Sequence, residues 1–174
     1  MAMNIRHIGR STEGAPLDET NLRLIAELQD DARLSLAELG RRVGLSSPAV
    51  AERLQRLEQS GTITGYRAQV DPRALGYSLT AIVRMRPAPG QLYNAAQVAR
   101  ESVEVVECHR VTGEDCYVMT AHVRDVHHLE EVIDRFAPLG QTTTSIVQSS
   151  PVAGRGLAAG SEQAPAEKAL RAQR

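Results

Sequence analysis

The sequence is poor in cysteine and in long apolar segments, and each shortage excludes a class of protein. Among 174 residues there are two cysteines, Cys108 and Cys116, which argues against a disulfide framework and leaves no paired-cysteine metal motif. No apolar run approaches the roughly 20 residues of a membrane-spanning helix, and the first residues lack the apolar core of a signal peptide. We therefore expect a cytoplasmic protein with no membrane association.

An excess of positive charge is also missing. Lysine and arginine together number 20 and aspartate and glutamate 21, which gives a net charge of −1 and a pI near 6.5. This balance excludes a generally basic, histone-like nucleic-acid binder, so any DNA binding requires a local patch, doubled by dimerisation. Arginine supplies nearly all the positive charge, because Lys168 is the one lysine.

The segment from residue 35 to residue 66 predicts two helices joined by a very short turn. Ser35 and Glu38 have the spacing of a capping box at the start of the first helix. Gly44 is suited to the left-handed conformation in which a helix ends. The apolar residues of this helix recur at helical spacing and are Leu36, Leu39 and Val43.

The second helix is predicted to begin at Ser46 or Ser47, either of which can cap it, with Pro48 in the first turn. Its buried stripe consists of Val50, Leu54 and Leu57. Ser60-Gly61 ends it. Two helices joined in this way form a helix-turn-helix unit, although a helical hairpin within another kind of domain would have the same pattern.

A helix-turn-helix places the start of its second helix in the DNA major groove. Serine hydroxyls and helix N-terminal amides suit phosphate oxygens, and arginines reach phosphates or guanine edges. Residues 41–67 contain five arginines and two glutamates, a local net charge of +3. The predicted DNA-binding residues are Arg41, Arg42, Ser46, Ser47, Ala49, Glu52, Arg53 and Arg56.

From residue 78 the apolar period changes from that of a helix to that of a strand. The predicted order is strand 78–86, helix 92–99, strand 103–110, strand 116–123, helix 126–136 and strand 142–149. This order is typical of the ferredoxin-like fold, an antiparallel sheet with two helices on one face. The other face has no helical cover, and if it is apolar a second copy is the simplest partner.

The fold class is therefore α+β, with a winged helix-turn-helix domain followed by a ferredoxin-like domain. The predicted boundaries are a flexible arm at 1–16, the DNA-binding domain at 17–66, a linker at 67–77, the second domain at 78–152 and a disordered tail at 153–174.

An ordered series of residues resembles one family of regulators. The matches are Leu17-Asp18, Leu24-Ile25, Arg33, Glu38-Leu39, Val43-Gly44-Leu45-Ser46, Val50, Arg53-Leu54, Arg56-Leu57-Glu58, Gly61-Thr62-Ile63 and Gly65-Tyr66. Together they look like the DNA-binding half of the Lrp/AsnC (leucine-responsive, feast/famine) transcription regulators. The second half resembles the family's ligand-sensing domain. The resemblance implies a homodimer, in some members an octamer, that binds double-stranded operator DNA under the control of a small effector, usually an amino acid.

The resemblance also implies where the effector binds, near the loop between the second and third strands of the regulatory domain. The residues so indicated are Gly113, Glu114, Asp115, Cys116, Thr142 and Thr144. Many members have an aspartate at the position of Cys116, whereas here Asp115 comes one residue earlier. A carboxylate can hold an ammonium group and threonine hydroxyls a carboxylate. The alternative is a plain turn with an ordinary aspartate.

The alternative that the protein is an enzyme has weaker support than the regulator. Some sirohaem decarboxylases resemble this family in both halves, and His109, Arg110 and His122 keep that alternative open. Cys108 and Cys116, together with these two histidines, are interpreted as packed side chains rather than a metal site, and His127-His128 as a solvated pair. We expect a regulator that is not an enzyme and has no cofactor.

Overall fold

The computed structural model describes residues 17–158, which divide into two units. The first unit contains residues 17–67 together with residues 154–158, and the second contains residues 68–153. The predicted arm at 1–16 lies outside the described residues. The part of the predicted tail that lies outside the described residues begins at residue 159. Residues 154–158 are described and belong to the first unit.

The first unit is built on three helices, α1 (Glu19–Asp30), α2 (Leu36–Val43) and α3 (Ser47–Gln59). Asp18 caps α1 by accepting a hydrogen bond from the Asn21 amide at 2.7 Å. The Ser35 hydroxyl likewise caps α2, accepting from the Glu38 amide at 3.2 Å. The core consists of Leu24, Leu39, Val43, Val50, Leu54 and Leu57. The apolar faces of three short amphipathic helices thus form one core.

The turn between α2 and α3 depends on two glycines. Gly44 has a φ of 76°, the left-handed conformation expected at the end of α2. The amide of Leu45 donates to the carbonyl oxygen of Gly40 at 2.9 Å. A Cβ atom at position 40 would overlap with the Leu45 carbonyl oxygen. The close approach of the turn to α2 therefore requires glycine at position 40.

The chain after α3 is irregular where a wing was predicted. Within the described residues, positions 61–70 form no strand. The Ile63 amide donates to the Leu57 carbonyl oxygen at 3.0 Å, and the Tyr66 hydroxyl donates to Glu58 at 2.9 Å. These bonds hold the segment against the end of α3 without a partner strand.

The second unit has the predicted ferredoxin-like order. Its elements are β1 (Leu79–Pro87), α4 (Leu92–Glu101), β2 (Val105–Arg110), β3 (Tyr117–Val123), α5 (Val126–Phe136) and β4 (Gly140–Ile146). The sheet order is β2-β3-β1-β4 with every pair antiparallel. Before β1 the chain forms a short 3-10 helix, Pro72–Leu75, in which the Arg73 amide donates to the capping side chain of Asp71.

One face of the sheet is apolar and packs against α4 and α5. Val83, Met85, Met119 and Phe136 are at most 2% exposed there. Strand alternation places Thr80, Ile82, Arg84 and Arg86 of β1 on the opposite face. That uncovered face is therefore largely polar, which weakens the argument for a purely hydrophobic dimer interface.

Strand β4 begins two residues before its predicted start and ends three before its predicted end. Gly140 pairs with Pro87 in the register of β1 and β4. A Cβ at position 140 would overlap with the Arg86 carbonyl oxygen, so glycine permits the strands to meet here. The pairing with β1 extends β4 back to Gly140. The run of β-branched residues begins only at Thr142, so the sequence pattern did not predict this start.

A buried polar cluster joins the start of β2 to α5. Glu104 and His128 are 6% and 5% exposed. The Glu104 carboxylate accepts two hydrogen bonds from Arg135, at 2.8 and 3.0 Å, and lies 2.9 Å from Nε2 of His128. The predicted solvated pair at His127-His128 is thus wrong for His128, because this cluster buries it.

Candidate functional site

Arg53 is held inside the three-helix unit. Its Nη1 atom donates to Asp18 at 2.6 Å and to Asn21 at 3.0 Å, and its side chain is 25% exposed. The Arg53 guanidinium and the Asn21 amide hold the pKa of Asp18 below its ordinary value. Arg53 therefore connects α3 to the start of α1. Arg53 was predicted to contact DNA, and its pairing with Asp18 and Asn21 was not predicted.

The remaining predicted residues of α3 lie toward solvent. Ser46 occupies the capping position, is exposed and makes no side-chain capping hydrogen bond. Ser47 and Ala49, in the first turn, are half-buried. The side chains of Glu52 and Arg56 are 69% and 63% exposed and lie 3.7 Å apart. The start and outer side of α3 thus present hydroxyl, methyl, carboxylate and guanidinium groups.

The two arginines of α2 differ in their surroundings. Arg42 pairs with Glu27 at 2.6 Å and with Glu38 at 2.8 Å. Arg41 also pairs with Glu38, but its side chain is 77% exposed. Arg42 therefore binds α2 to α1, whereas Arg41 projects into solvent beside the turn.

The loop between β2 and β3 is a tight hairpin. The Val111 amide donates to the Cys116 carbonyl oxygen and the Cys116 amide donates to Met85 of β1, both at 3.0 Å. Gly113, at φ 108°, occupies the left-handed region at the tip. Backbone hydrogen bonds thus fix the base of the loop against the end of β1.

The acidic and sulfhydryl side chains of this loop differ in exposure. Glu114 is exposed and faces Arg86 at 3.8 Å, a contact that the sequence did not reveal. Asp115 and Cys116 are half-buried. The loop therefore presents two carboxylates, of which Glu114 faces a guanidinium of the neighbouring strand.

The predicted threonines lie at the same end of the sheet as this loop. Met85 of β1 pairs with Tyr117 on one side and with Thr142 on the other. Since neighbouring strands lie about 4.8 Å apart, the base of the loop and the start of β4 are about 10 Å apart. Thr142 and Thr144 are half-buried. The single chain thus brings the predicted loop and the start of β4 to the same end of the sheet.

The histidines of the enzymatic alternative do not converge. His109 pairs with Val118, four residues along β3 from His122, a separation of about 13 Å. His122 instead lies 3.0 Å from the Thr80 hydroxyl. Across residues 17–158 no three histidine, cysteine or acidic side chains are grouped as a metal site would require.

Comparison with protein families assigns both units. An AsnC-type helix-turn-helix domain matches residues 17–58, and an Lrp/AsnC ligand binding domain matches residues 80–157. The HTH-type transcriptional regulator YezC of Bacillus subtilis is 41% identical over 134 residues, which cover 77% of this chain and 95% of that protein. The chain belongs to the Lrp/AsnC family of transcriptional regulators. The predicted family, fold and regulatory function are thereby confirmed.

Solved structures of Lrp/AsnC proteins have the same architecture. A feast or famine regulatory protein of Mycobacterium tuberculosis complexed with L-methionine is 34% identical, with a TM-score of 0.76 over 81% of this chain and 98% of that one. A transcriptional regulator of Neisseria meningitidis in complex with L-methionine is 26% identical, with a TM-score of 0.74 over 80% and 94%. None of the helices described in this chain is long and apolar enough to cross a membrane.

Proposed function

We propose that this Lrp/AsnC regulator binds operator DNA through the start and outer side of α3, and that an amino-acid effector at the β2–β3 loop changes its DNA affinity or assembly. The observation that carries the proposal is the exposed outer surface of α3 opposite a fully buried stripe. Its site of action is the cytoplasm, in association with the nucleoid.

The DNA contacts combine a dipole with a few side chains. The free Ser46 hydroxyl and the first amides of α3 form a site for a phosphate oxygen, where the helix dipole favours negative charge. Arg56 and Glu52 extend from the next turn toward base edges or backbone, and Arg41 toward a phosphate beside the turn. Arg53 orients α3 through Asp18 and acts as a positioning residue.

The effector is proposed to be an α-amino acid. Two relatives of this fold are complexed with L-methionine, and an amino acid needs partners for one ammonium and one carboxylate group. Asp115 supplies an anion, and Gly113 permits close approach of the backbone. Thr142 and Thr144 supply hydroxyl donors on β4, which lies two strands from the base of the loop.

Assembly into a homodimer would double the number of DNA-binding units, and an octamer would contain eight of them. Two recognition helices on one dimer contact two half-sites, so operator affinity depends on how the units are held. An effector that binds better to one arrangement shifts the equilibrium toward it, and DNA then changes effector affinity by the same factor.

Binding to the protein's own upstream DNA tests the DNA interface. The gel shift should weaken as the salt concentration rises, because phosphate contacts release counterions. Arg56→Ala should weaken binding by about 1–3 kcal/mol if the side chain reads a base. Glu19→Ala, on the first turn of α1, is the control. Equal affinity for Arg56→Ala and Glu19→Ala would exclude Arg56 from the interface.

Titration of the same gel shift with each of the twenty amino acids, beginning with L-methionine, tests the effector site. One amino acid should alter the shift of the native protein. Asp115→Asn, which keeps the size of the side chain and removes its charge, should abolish that response and leave ligand-free DNA binding intact. A full response in Asp115→Asn would show that a group other than the Asp115 carboxylate binds the ammonium group of the effector.

A further inference from the structure

The chain returns to the DNA-binding unit after it completes the regulatory domain. The Leu157 amide donates to Oε1 of Gln29 at 2.6 Å, and Nε2 of Gln29 donates to the Leu157 carbonyl oxygen at 2.9 Å. One carboxamide thus satisfies both main-chain groups of one residue, as a neighbouring strand would. Gln29 lies in the last turn of α1.

A groove of about 440 Å³ adjoins this contact. Its walls are α1, the irregular segment after α3, and residues 157–158 of the returning chain. The apolar residues that α1 and the adjoining segment contribute are Leu17, Leu22, Ile25, Leu28 and Ile63. Leu157 itself is 84% exposed, so the contact depends on its main chain more than on its side chain.

Gly156 permits the close approach. A Cβ at position 156 would lie 3.0 Å from both Cβ and Oε1 of Gln29, a spacing at which a neighbour must give way. Glycine at position 156 therefore lets Gln29 bind the adjacent residue without displacement of the Gln29 side chain. The returning segment is fitted to Gln29 by its main chain.

We propose that Gln29 and this groove form a main-chain clamp that holds residues 154–158 and connects the two units of the chain a second time. The first connection is at residues 67–68, and the second follows residue 153. Only residues 147–153 separate the end of β4 from the clamped segment. The clamp limits how far the DNA-binding unit can separate from the regulatory unit. This proposal does not depend on the identity of the operator or the effector.

A designed disulfide tests which chain occupies the clamp. Gln29→Cys with Gly156→Cys, in a Cys108→Ser and Cys116→Ser background, places two Cβ atoms 3.0 Å apart, roughly half an ångström below the usual range of disulfide spacing. Oxidation should give a monomeric band of altered mobility on a non-reducing gel, and a Gln59→Cys, Gly156→Cys pair should give none. A covalent dimer, or no cross-link, would overturn the proposal.

Limited trypsin digestion tests the second connection in the intact protein. In Gln29→Ala, cleavage after Arg155 should be about tenfold faster, because two hydrogen bonds that close the segment are lost. Cleavage after Arg67, in the first connection, should also rise. Gln59→Ala, another exposed glutamine at a helix end, is the control. Unchanged cleavage after Arg155 overturns the clamp, and a rise there without one at Arg67 overturns its connecting role.

Discussion

Replacement of Glu104 by glutamine should destabilise the regulatory domain in a pH-dependent manner. The carboxylate is 6% exposed and accepts two hydrogen bonds from Arg135, and His128 lies 2.9 Å away. Glutamine keeps the shape and one acceptor, but it removes the charge that compensates Arg135. Leaving one partner of a buried pair uncompensated costs several kcal/mol, although the Arg135 side chain is 41% exposed and water screens it.

The magnitude follows from the pKa of the carboxyl group. The Arg135 hydrogen bonds, opposed by burial, lower the pKa of Glu104 from 4.5 to about 2. Because the folded pKa is the lower one, the stabilisation is complete above about pH 4.5 and is lost as the pH falls toward 2. This difference corresponds to roughly 3 kcal/mol as an upper bound, of which about 2 kcal/mol is lost between pH 7 and pH 3.

Urea unfolding followed by far-UV circular dichroism measures the effect, since the chain has no tryptophan for fluorescence. At pH 7, Glu104→Gln should lower the free energy of unfolding by about 2–3 kcal/mol, and at pH 3 by about 1 kcal/mol or less. Glu130→Gln, an exposed residue of α5, should change it by less than about 0.5 kcal/mol at both values. A Glu104→Gln effect of equal size at pH 7 and pH 3 would refute the reasoning.

Three further substitutions test the packing around the two sites. Gly40→Ala should lower the free energy of unfolding of the DNA-binding unit by about 1–2 kcal/mol, because overlap with Leu45 outweighs the gain in helix propensity. The measurement is the shift of the urea unfolding curve. Arg53→Ala should lower the melting temperature in the absence of DNA, whereas Arg56→Ala should leave it unchanged. A lower melting temperature for Arg56→Ala alone would favour a DNA contact for Arg53 over a positioning role. Gly140→Ala should cost about 1–3 kcal/mol of regulatory-domain stability, measured by the same unfolding assay, and a neutral effect would contradict the close approach to Arg86.

Local signals predicted most of the fold. The cap at Ser35, the left-handed Gly44 and the stripe of α3 depend on neighbours within four residues, so a linear pattern contains them. The alternation of buried and more exposed residues along β1 and β3 is local for the same reason. Register is not local, which is why the start of β4 at Gly140 required the structure.

The roles of Arg53, His128 and Gln29 could not be predicted, because each depends on a residue far along the chain. Arg53 meets Asp18 across 35 positions, His128 meets Glu104 across 24, and Gln29 meets Leu157 across 128. Nothing in the spacing of the sequence brings such pairs together. The proposed effector residues lie between these extremes: hairpin proximity defines the loop, whereas its relation to Thr142 depends on sheet order.

Ion pairs that the sequence does not reveal also change the electrostatics of the proposed DNA interface. A count over residues 41–67 gives a net charge of +3, but that window omits Asp18, Glu27 and Glu38, whose carboxylates pair with its arginines. Of the arginines on α2 and α3, only Arg41 and Arg56 retain largely exposed side chains. One unit therefore offers few phosphate contacts, and the salt dependence of its binding should be shallow. In the proposed homodimer, operator affinity must then come from the helix dipole, from base contacts and above all from the joining of two units, which is the quantity that the proposed effector would control.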